Sequence, residues 1–205
     1  MNKPNLLLVG AGGHAHACIE ALESQQKYQL IGLVGTCAEI GSTHFGYSVL
    51  GNDDDLPRLA KDCEYALIAV GHIKTSEIRR NLYANLLKMG FKLPVVIAST
   101  AYVSLLASVG AGSVVMHGAV VNAGAQIGDN CIINTRAVVE HDVIVGAHCH
   151  ISTGAILNGH VRIGDGSFVG SSSTVREGTS IGQDVVVGMG LSVRHSLQDG
   201  VRYVG

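Results

Sequence analysis

A branched aliphatic residue occupies every sixth position from Val103 to Val193, without an exception. A helix repeats every ~3.6 residues and a plain strand about every two, so neither accounts for a period of six. A solenoid of short strands and turns does, because each strand then directs one aliphatic side chain into a shared interior. The series is Val103, Val109, Val115, Val121, Ile127, Ile133, Val139, Val145, Ile151, Leu157, Ile163, Val169, Val175, Ile181, Val187 and Val193.

A second set of positions supports the same architecture. A small or aliphatic residue stands four places after each member of the series, and glycine often follows the member directly, as at Gly128, Gly146 and Gly164. Glycine permits tight turns, and each buried Val, Ile or Leu contributes about 1.5–3 kcal/mol. A valine-rich β-sandwich is the alternative, but its strands and loops vary in length. The fixed period therefore favours the solenoid.

The first hundred residues alternate short apolar runs with amphipathic stretches. This alternation predicts a small parallel α/β domain over residues 1–99, followed by the all-β solenoid over residues 100–205. In the last predicted helix, Ile78, Leu82 and Leu86 form the apolar stripe that should face the core. Strands are predicted at 5–9, 28–34, 48–50, 65–70 and 93–97, and helices at 15–24, 53–61 and 75–89.

A glycine loop lies between the first predicted strand and the first predicted helix. Gly10, Gly12 and Ala15 fit the spacing G-x-G-x-x-G/A, which lets phosphates approach the backbone at a helix N-terminus. A nicotinamide dinucleotide site also requires an acid near the end of the second strand, where this chain has Gly35 and Thr36. The loop therefore favours a nucleotide-sugar phosphate site. A nicotinamide site and a structural turn without a ligand are the alternatives.

Three motifs make the two-domain order more specific. They are the Gly-Gly-His loop at residues 12–14, the segment 68–71 with Arg79 downstream, and Asn134 followed by Glu-His-Asp at 140–142. With the uninterrupted six-residue series, they make the whole chain resemble the hexapeptide-repeat sugar acetyltransferases. That family includes UDP-4-amino-sugar N-acetyltransferases and sialic acid O-acetyltransferases.

The resemblance implies a fold and an assembly. The expected fold is a small Rossmann-like parallel α/β domain followed by a left-handed parallel β-helix, in which three hexapeptides make one coil. Residues 18 apart should then stack, so Cys131 and Cys149 become inward-facing neighbours. The resemblance further implies acetyl-CoA as co-substrate, a sugar-nucleotide acceptor and a homotrimer whose active sites lie between subunits.

The resemblance assigns the catalytic base to His141, with Asp142 as its acidic neighbour. An amine or hydroxyl must lose a proton as it attacks the thioester, and imidazole can accept that proton near neutral pH. Adjacent residues on a strand point to opposite sides. Asp142 can therefore reach His141 only if the chain turns there, or it must reach the ring of a neighbouring chain.

The resemblance also places the two substrates. It implies acetyl-CoA contacts at His150, Ser171 and Met189, and sugar-nucleotide contacts at Gly12, Gly13, His14 and Gly71. His150 also forms a His-x-His pair with His148 on a predicted strand, but no third ligand is evident, so no metal site is expected. His160 and His195 are expected at the surface.

Composition excludes several classes of protein. The formal net charge of −2 and the nine aromatic residues do not favour a nucleic-acid partner. Five cysteines without a disulfide spacing suit a reducing compartment, so a cytoplasmic location is expected. No apolar run is long enough to span a bilayer or to resemble a signal peptide.

These observations predict an acetyl-CoA-dependent N-acetyltransferase that acts on a UDP-linked 4-amino sugar in surface glycan synthesis. A sialic acid O-acetyltransferase is the first alternative, because a hydroxyl acceptor can use the same histidine. A β-helix scaffold without catalytic activity is the second alternative.

Overall fold

The computed structural model describes residues 3–204. The N-terminal part is an α/β unit with one five-stranded sheet, and its strand order is β3-β4-β2-β1-β5. The sheet is parallel except at β3 and β4, which pair antiparallel at one edge. Its elements are β1 (Asn5–Val9), α1 (Gly13–Gln25), β2 (Gln29–Val34), β3 (Thr43–His44), β4 (Tyr47–Gly51), α2 (Leu56–Leu59), β5 (Tyr65–Ile68) and α3 (Glu77–Lys88).

The five-stranded sheet has an apolar cluster on each face, because alternate residues of β1 point to opposite sides. Leu6 and Leu8 pack with α1, whereas Leu7 and Val9 pack with α2 and the C-terminal end of α3. The α/β class is confirmed. The edge strand β3 was not predicted, and the helix predicted at 53–61 is a short 3₁₀ turn followed by only four α-helical residues.

The predicted apolar stripe of α3 was partly wrong. Leu86 is buried as expected, but Ile78 is 62% exposed and the neighbouring Arg79 is completely buried. The helix is rotated so that Arg79 faces the β-helix, where carbonyl and amide oxygens accept from both of its terminal guanidinium nitrogens. A periodicity argument counts only apolar residues and therefore misses a buried cation with its own partners.

The strand predicted at 93–97 was assigned to the wrong sheet. It is β6 (Val96–Ile97), and it pairs in parallel with Val114–Val115 of the β-helix. The backbone bridge between Tyr65 and Lys92 is the last backbone pairing of this segment with the α/β sheet. The chain therefore enters the β-helix before residue 100, while the division at 99/100 stays a prediction.

The rest of the chain is a left-handed parallel β-helix of two-residue strands. Each strand pairs with the strand 18 residues further on, except in the last coil, where the spacing shortens to 16 residues, as between Val186 and Arg202. Together the strands form three parallel sheets along the solenoid. The strands are β7 (Tyr102–Val103), β8 (Ser108–Val109), β9 (Val114–Val115), β10 (Val120–Val121), β11 (Gln126–Ile127), β12 (Ile132–Ile133), β13 (Val138–Val139), β14 (Ile144–Val145), β15 (His150–Ile151), β16 (Ile156–Leu157), β17 (Arg162–Ile163), β18 (Phe168–Val169), β19 (Thr174–Val175), β20 (Ser180–Ile181), β21 (Val186–Val187), β22 (Ser192–Val193) and β23 (Arg202–Tyr203).

The interior of the β-helix is the six-residue aliphatic series itself, packed with the small residues four places later. Val103 and Val109, in the first coil, are partly buried, and the later members are buried. Cys131 and Cys149 are both fully buried in this interior, as predicted, and burial raises the pKa of the Cys149 thiol. These two thiols therefore act as small apolar core groups.

Turns between the strands stack into three corners, which the following names distinguish. The His141 corner contains the turn pairs 105–106, 123–124, 141–142, 159–160 and 177–178. The Ser171 corner contains 117–118, 135–136, 153–154, 171–172 and 189–190. The docking corner contains 111–112, 129–130, 147–148, 165–166 and 183–184.

One of the three sheets of the β-helix has seven strands, in the order β23-β21-β18-β15-β12-β9-β6. The α/β unit docks on the β-helix through this seven-stranded sheet and the docking corner. Val114, Met116 and Ile132 of the β-helix share the apolar cluster that contains α1. At the docking corner, the Tyr83 hydroxyl donates to Asp129 at 2.9 Å, and Arg80 pairs with Asp184 at 2.8 Å. The three sheets and three corners give the β-helix the form of a triangular prism. These contacts fix the α/β unit beside one face of the prism. Within residues 3–204, no helix has the length and apolar character needed to cross a membrane.

Candidate active site

The glycine loop opens into a cleft of about 660 Å³ at the carboxyl ends of β1, β2 and β5. Such a position, beyond the ends of parallel strands, is where open α/β sheets bind ligands. The four residues predicted to bind the sugar nucleotide all line it: Gly12, Gly13, His14 and Gly71. The structure therefore brings this set together, and its ligand role stays a prediction.

One wall of the cleft favours anions. Helix α1 begins at Gly13 with no side-chain cap and no acidic residue in its first turn, so its N-terminal dipole is not neutralised by the helix itself. Arg79 donates to the carbonyl of Val70, which also lines the cleft, at 2.7 Å. Burial lowers the pKa of Arg79 to about 10, so the guanidinium stays positively charged at neutral pH.

Acidic groups that the sequence prediction did not identify line the opposite wall. Glu39 lies just after the second strand and accepts hydrogen bonds at 2.7 Å from both the backbone N–H and the hydroxyl of Thr36. These bonds hold the pKa of Glu39 below its usual value. Asp53 and Asp54 line the same cleft. The sequence contained a signal for Glu39, because Thr36-x-x-Glu39 has the spacing of a capping box.

Three histidines, the half-buried His14 and the buried His72 and His150, lie where the cleft meets the β-helix. The ring centroid of His150 is 6.4 Å from that of His14 and 5.5 Å from that of His72, and Phe168 packs edge-on against it at 5.2 Å. Burial lowers the pKa of His14 and of His72 to about 3, and that of His150 to about 4. The nearby charge of Arg79 acts in the same direction, so all three rings are neutral at physiological pH.

Both ring nitrogens of His150 have partners within the chain. Nδ1 lies 2.8 Å from the His72 carbonyl oxygen, so it carries the proton and donates. The side chain of Asn134 accepts from the Thr135 N–H and therefore presents its amide to His150 Nε2, at 3.1 Å. The predicted acetyl-CoA contact of His150 stays a prediction, and contact through a ring nitrogen would require breaking one of these bonds.

His141 and Asp142 occupy a turn at the His141 corner. Asp142 has a left-handed backbone (φ 58°), and this turn brings its carboxylate to 2.9 Å from Nδ1 of His141. The condition stated for an intrachain contact, that the chain turns here, is therefore met. The hydrogen bond to Asp142 holds the pKa of His141 above its usual value.

The geometry leaves Nε2 of His141 as the free basic atom, because Nδ1 carries the proton that Asp142 accepts. The ring lies close to Gly159 of the next coil. A Cβ atom at position 159 would come within 2.6 Å of His141 Cε1 and Nε2. The Asp142 carboxylate thus holds Nδ1 of His141, and the absence of a side chain at Gly159 leaves room for the ring in this position. This arrangement suits a general base.

The remaining predicted acetyl-CoA residues lie together at the Ser171 corner. The hydroxyl of Ser171 is 2.9 Å from that of Ser152, and Met189 stands one coil away and is largely exposed. By contrast, His148 is not on a strand: it occupies the docking corner with φ 60° and contacts Asn130 and Tyr83. His148 and His150 therefore have separate partners, and they do not form a pair of metal ligands.

The predicted site residues of one chain fall into separate regions. The cleft and His150 lie on the docked side of the prism, Ser171 and Met189 at the Ser171 corner, and His141 with Asp142 at the His141 corner. The buried Arg79, the cleft acid Glu39 and His160, which lies beside Asp142, were not identified as site residues. His160 could have been found, because it follows Asp142 by 18 residues.

Family models match the two parts of the chain separately. The PglD N-terminal domain matches residues 5–86, the bacterial transferase hexapeptide (six repeats) matches residues 124–159, and the hexapeptide repeat of succinyl-transferase matches residues 160–194. A search of the curated proteins returned no match.

Solved structures match nearly the whole chain. The acetyltransferase domain of PglB from Neisseria gonorrhoeae FA1090, in complex with acetyl coenzyme A, is 36% identical over 97% of this chain and 95% of that chain, with a TM-score of 0.89. The chain belongs to the hexapeptide-repeat sugar acetyltransferases. Perosamine N-acetyltransferase from Caulobacter crescentus, solved as a histidine variant with CoA and GDP-perosamine, is 33% identical to this acetyltransferase over 98% and 93% of the two chains, with a TM-score of 0.92.

Membership of this family confirms several of the predictions made from the sequence and contradicts one alternative. The Rossmann-like domain, the left-handed β-helix and acetyl-CoA as co-substrate are confirmed, and the protein is a sugar acetyltransferase. The alternative of a scaffold without activity was wrong. A more distant structure, WeeI from Acinetobacter baumannii AYE, is 23% identical over 98% and 97% of the two chains, with a TM-score of 0.82, and shares the fold.

Proposed function

We propose that this acetyltransferase N-acetylates a UDP-linked 4-amino sugar for surface glycans, with His141 as general base. The observation that carries the proposal is the His141–Asp142 pair, in which a 2.9 Å hydrogen bond fixes the proton on Nδ1 and leaves Nε2 as the acceptor. The neighbours that act on acetyl-CoA or bind GDP-perosamine support an amine on a nucleotide-linked sugar as the acceptor.

The chemistry follows from this arrangement. The neutral amine of the sugar attacks the thioester carbonyl of acetyl-CoA, a C–N bond forms, and Nε2 of His141 takes the proton that the amine loses. The C–S bond then breaks, and the imidazolium returns the proton to the departing sulfur of CoA. Asp142 stabilises the transient charge on the ring and keeps Nδ1 protonated throughout. A positioned base of this kind contributes about 10²–10⁴ in rate.

We further propose that the working unit is a homotrimer with active sites between subunits. His141 lies at one corner of the prism, whereas Ser171 and Met189 lie at another, so a second copy is needed to join them. The His141 corner also carries Leu105 and Leu106, which are 102% and 78% exposed. Two exposed leucines on the corner that bears the base support a subunit contact there.

Two properties of the acceptor must be distinguished: the nucleotide that it carries, UDP or GDP, and the group that is acetylated, an amine or a hydroxyl. The glycine loop and the uncapped start of α1 suit the diphosphate of any sugar nucleotide, so they do not separate UDP from GDP. The GDP-perosamine bound by the Caulobacter crescentus enzyme makes a GDP-linked sugar the principal competitor. A sialic acid hydroxyl is the alternative acceptor, and it requires stronger activation by the base than an amine does.

Turnover with defined acceptors tests the proposal. The protein is assayed with acetyl-CoA and UDP-4-amino sugars, GDP-perosamine or free sialic acid, and the acetylated products are identified by mass spectrometry. We expect UDP-4-amino sugars to give the highest kcat/KM. We expect His141→Ala to lower kcat by about 10²–10⁴, since it removes the base. His195→Ala, at an exposed histidine of the same column, is the matched control. Unchanged turnover in His141→Ala would exclude the proposed base.

Complementation between two inactive variants tests the shared site. His141→Ala removes the base, and Ser171→Trp blocks the Ser171 corner. In randomly mixed trimers, roughly a quarter of the interfaces would pair an intact His141 with an intact Ser171 from a neighbour, so about a quarter of the wild-type activity should return. No recovery in trimers shown to be mixed would place the whole site within one chain.

A further inference from the structure

Two imidazoles and one carboxylate meet at the His141 corner. Asp142 and His160 occupy the same position in successive coils, both with a left-handed backbone of φ 58°. The backbone N–H of His160 donates to the His141 carbonyl at 3.1 Å, which fixes the two turns relative to each other. Nδ1 of His141 lies 2.9 Å from Oδ2 of Asp142, and Nδ1 of His160 lies 3.9 Å from the same oxygen.

These separations suit a transition-metal ion. Zinc bonds of about 2.0–2.2 Å to nitrogen and carboxylate oxygen imply about 3.4 Å between tetrahedral ligand atoms. The measured separations of 2.9 and 3.9 Å lie on either side of that value, and one ligand atom from each residue lies within 4.8 Å of the others. The three side chains are exposed, so rotations about their χ angles can bring the ligand atoms to that separation.

Access and charge also favour a cation here. The side chains of His141, Asp142 and His160 are 53%, 52% and 59% exposed, so an ion can reach them with water as a further ligand. The charged groups that act on His141 are Asp142, Glu140 and Glu177, and all are carboxylates. Two neutral imidazoles with a carboxylate are a typical donor set for zinc-class ions.

We propose that His141, Asp142 and His160 form an inhibitory site for a divalent transition-metal ion of the zinc class. Binding depends only on these three side chains, whereas inhibition rests on the proposed role of His141 as base. A neutral imidazole carries one N–H. An ion that takes the lone pair of Nδ1 leaves the ring proton on Nε2, and Nε2 can then no longer accept the proton of the amine.

Metal binding is measured first, without reference to activity. The intact protein is titrated with Zn²⁺ held at defined free concentrations by a nitrilotriacetate buffer, and Co²⁺ absorption reports the coordination. We expect His160→Asn to weaken binding at least about tenfold, because even groups that only support ligands contribute about 10–100-fold. His195→Asn is the matched control, since it removes an exposed histidine three coils beyond His141. Equal affinity in wild type and His160→Asn would overturn the site.

Inhibition is measured next, for each variant relative to its own rate without metal. Product is quantified by chromatography, because the CoA thiol itself binds zinc. Wild type and His195→Asn should lose activity over the zinc range in which the site fills, and His160→Asn should not. Binding without loss of activity would overturn the inhibition and count against His141 as base. The metal-free His141→Ala assay decides the proposed function separately.

Discussion

Gly159 shows how a single residue can set the position of the proposed base. The His141 ring lies where a Cβ atom at 159 would stand, 2.6 Å from Cε1 and Nε2. A side chain at 159 must therefore displace the ring and break its alignment with Asp142. The main chain at Gly159 is not left-handed, so the backbone itself tolerates alanine.

We expect Gly159→Ala to lower kcat by about 10²-fold or more, since a misplacement of about 1 Å can have that effect on catalysis. Thermal unfolding of the variant should stay close to wild type, because the methyl group meets an exposed side chain that can move. Steady-state kinetics and a melting curve on the same preparation measure both effects. A normal kcat in a variant that folds normally would show that the orientation of this ring does not matter.

At the scale of elements, α3 provides the polar link between the two domains, beside the apolar contact made by α1. Arg79 donates from one guanidinium nitrogen to the carbonyls of Ile68 and Val70, and from the other to the backbone and side-chain oxygens of Asn130 in the β-helix. These acceptors are neutral oxygens. A buried cation that donates to them in this way is costly to remove, because its acceptors lose their partners.

Adjacent substitutions on α3 separate this buried contact from a surface ion pair. Arg79→Met should destabilise the protein by about 3–5 kcal/mol, because it leaves buried oxygens of both domains unpaired. Arg80→Met removes only the half-exposed pair with Asp184 and should cost less than about 1 kcal/mol. Urea unfolding of the two variants measures the difference. Equal, small losses would mean that Arg79 does not hold the domains together.

At the scale of the whole molecule, the three histidines beside the cleft couple stability to pH. His14, His72 and His150 have pKa values of about 3, 3 and 4 in the folded protein, against an ordinary value of 6.5. The unfolded chain binds protons below about pH 6.5 while the folded chain does not, so stability is full above that pH and is lost as pH falls towards 4. Each histidine should contribute on the order of 1–2 kcal/mol of this loss by about pH 5.

The variant His72→Leu isolates this effect, because neither ring nitrogen of His72 has a hydrogen-bond partner while its carbonyl still accepts from His150. We expect the loss of unfolding free energy between about pH 7.5 and pH 5 to shrink by roughly a third. Denaturation at fixed protein concentration measures it, since subunit association in the proposed trimer would contribute to stability. An unchanged loss would assign the acid sensitivity to other groups.

The sequence alone determined the features that repeat. A six-residue period requires stacked strands, and an 18-residue coil then places Cys131 above Cys149 and His160 beside Asp142, whichever other side chains surround them. The glycine loop likewise predicted the cleft, because its backbone demands are local. Only the tertiary structure decided the burial of Arg79, the capture of Val96–Ile97 by the β-helix and the hydrogen bonds of His150. Those outcomes depend on how the two domains pack against each other. A contact between distant segments produces no periodic pattern in the sequence of either segment.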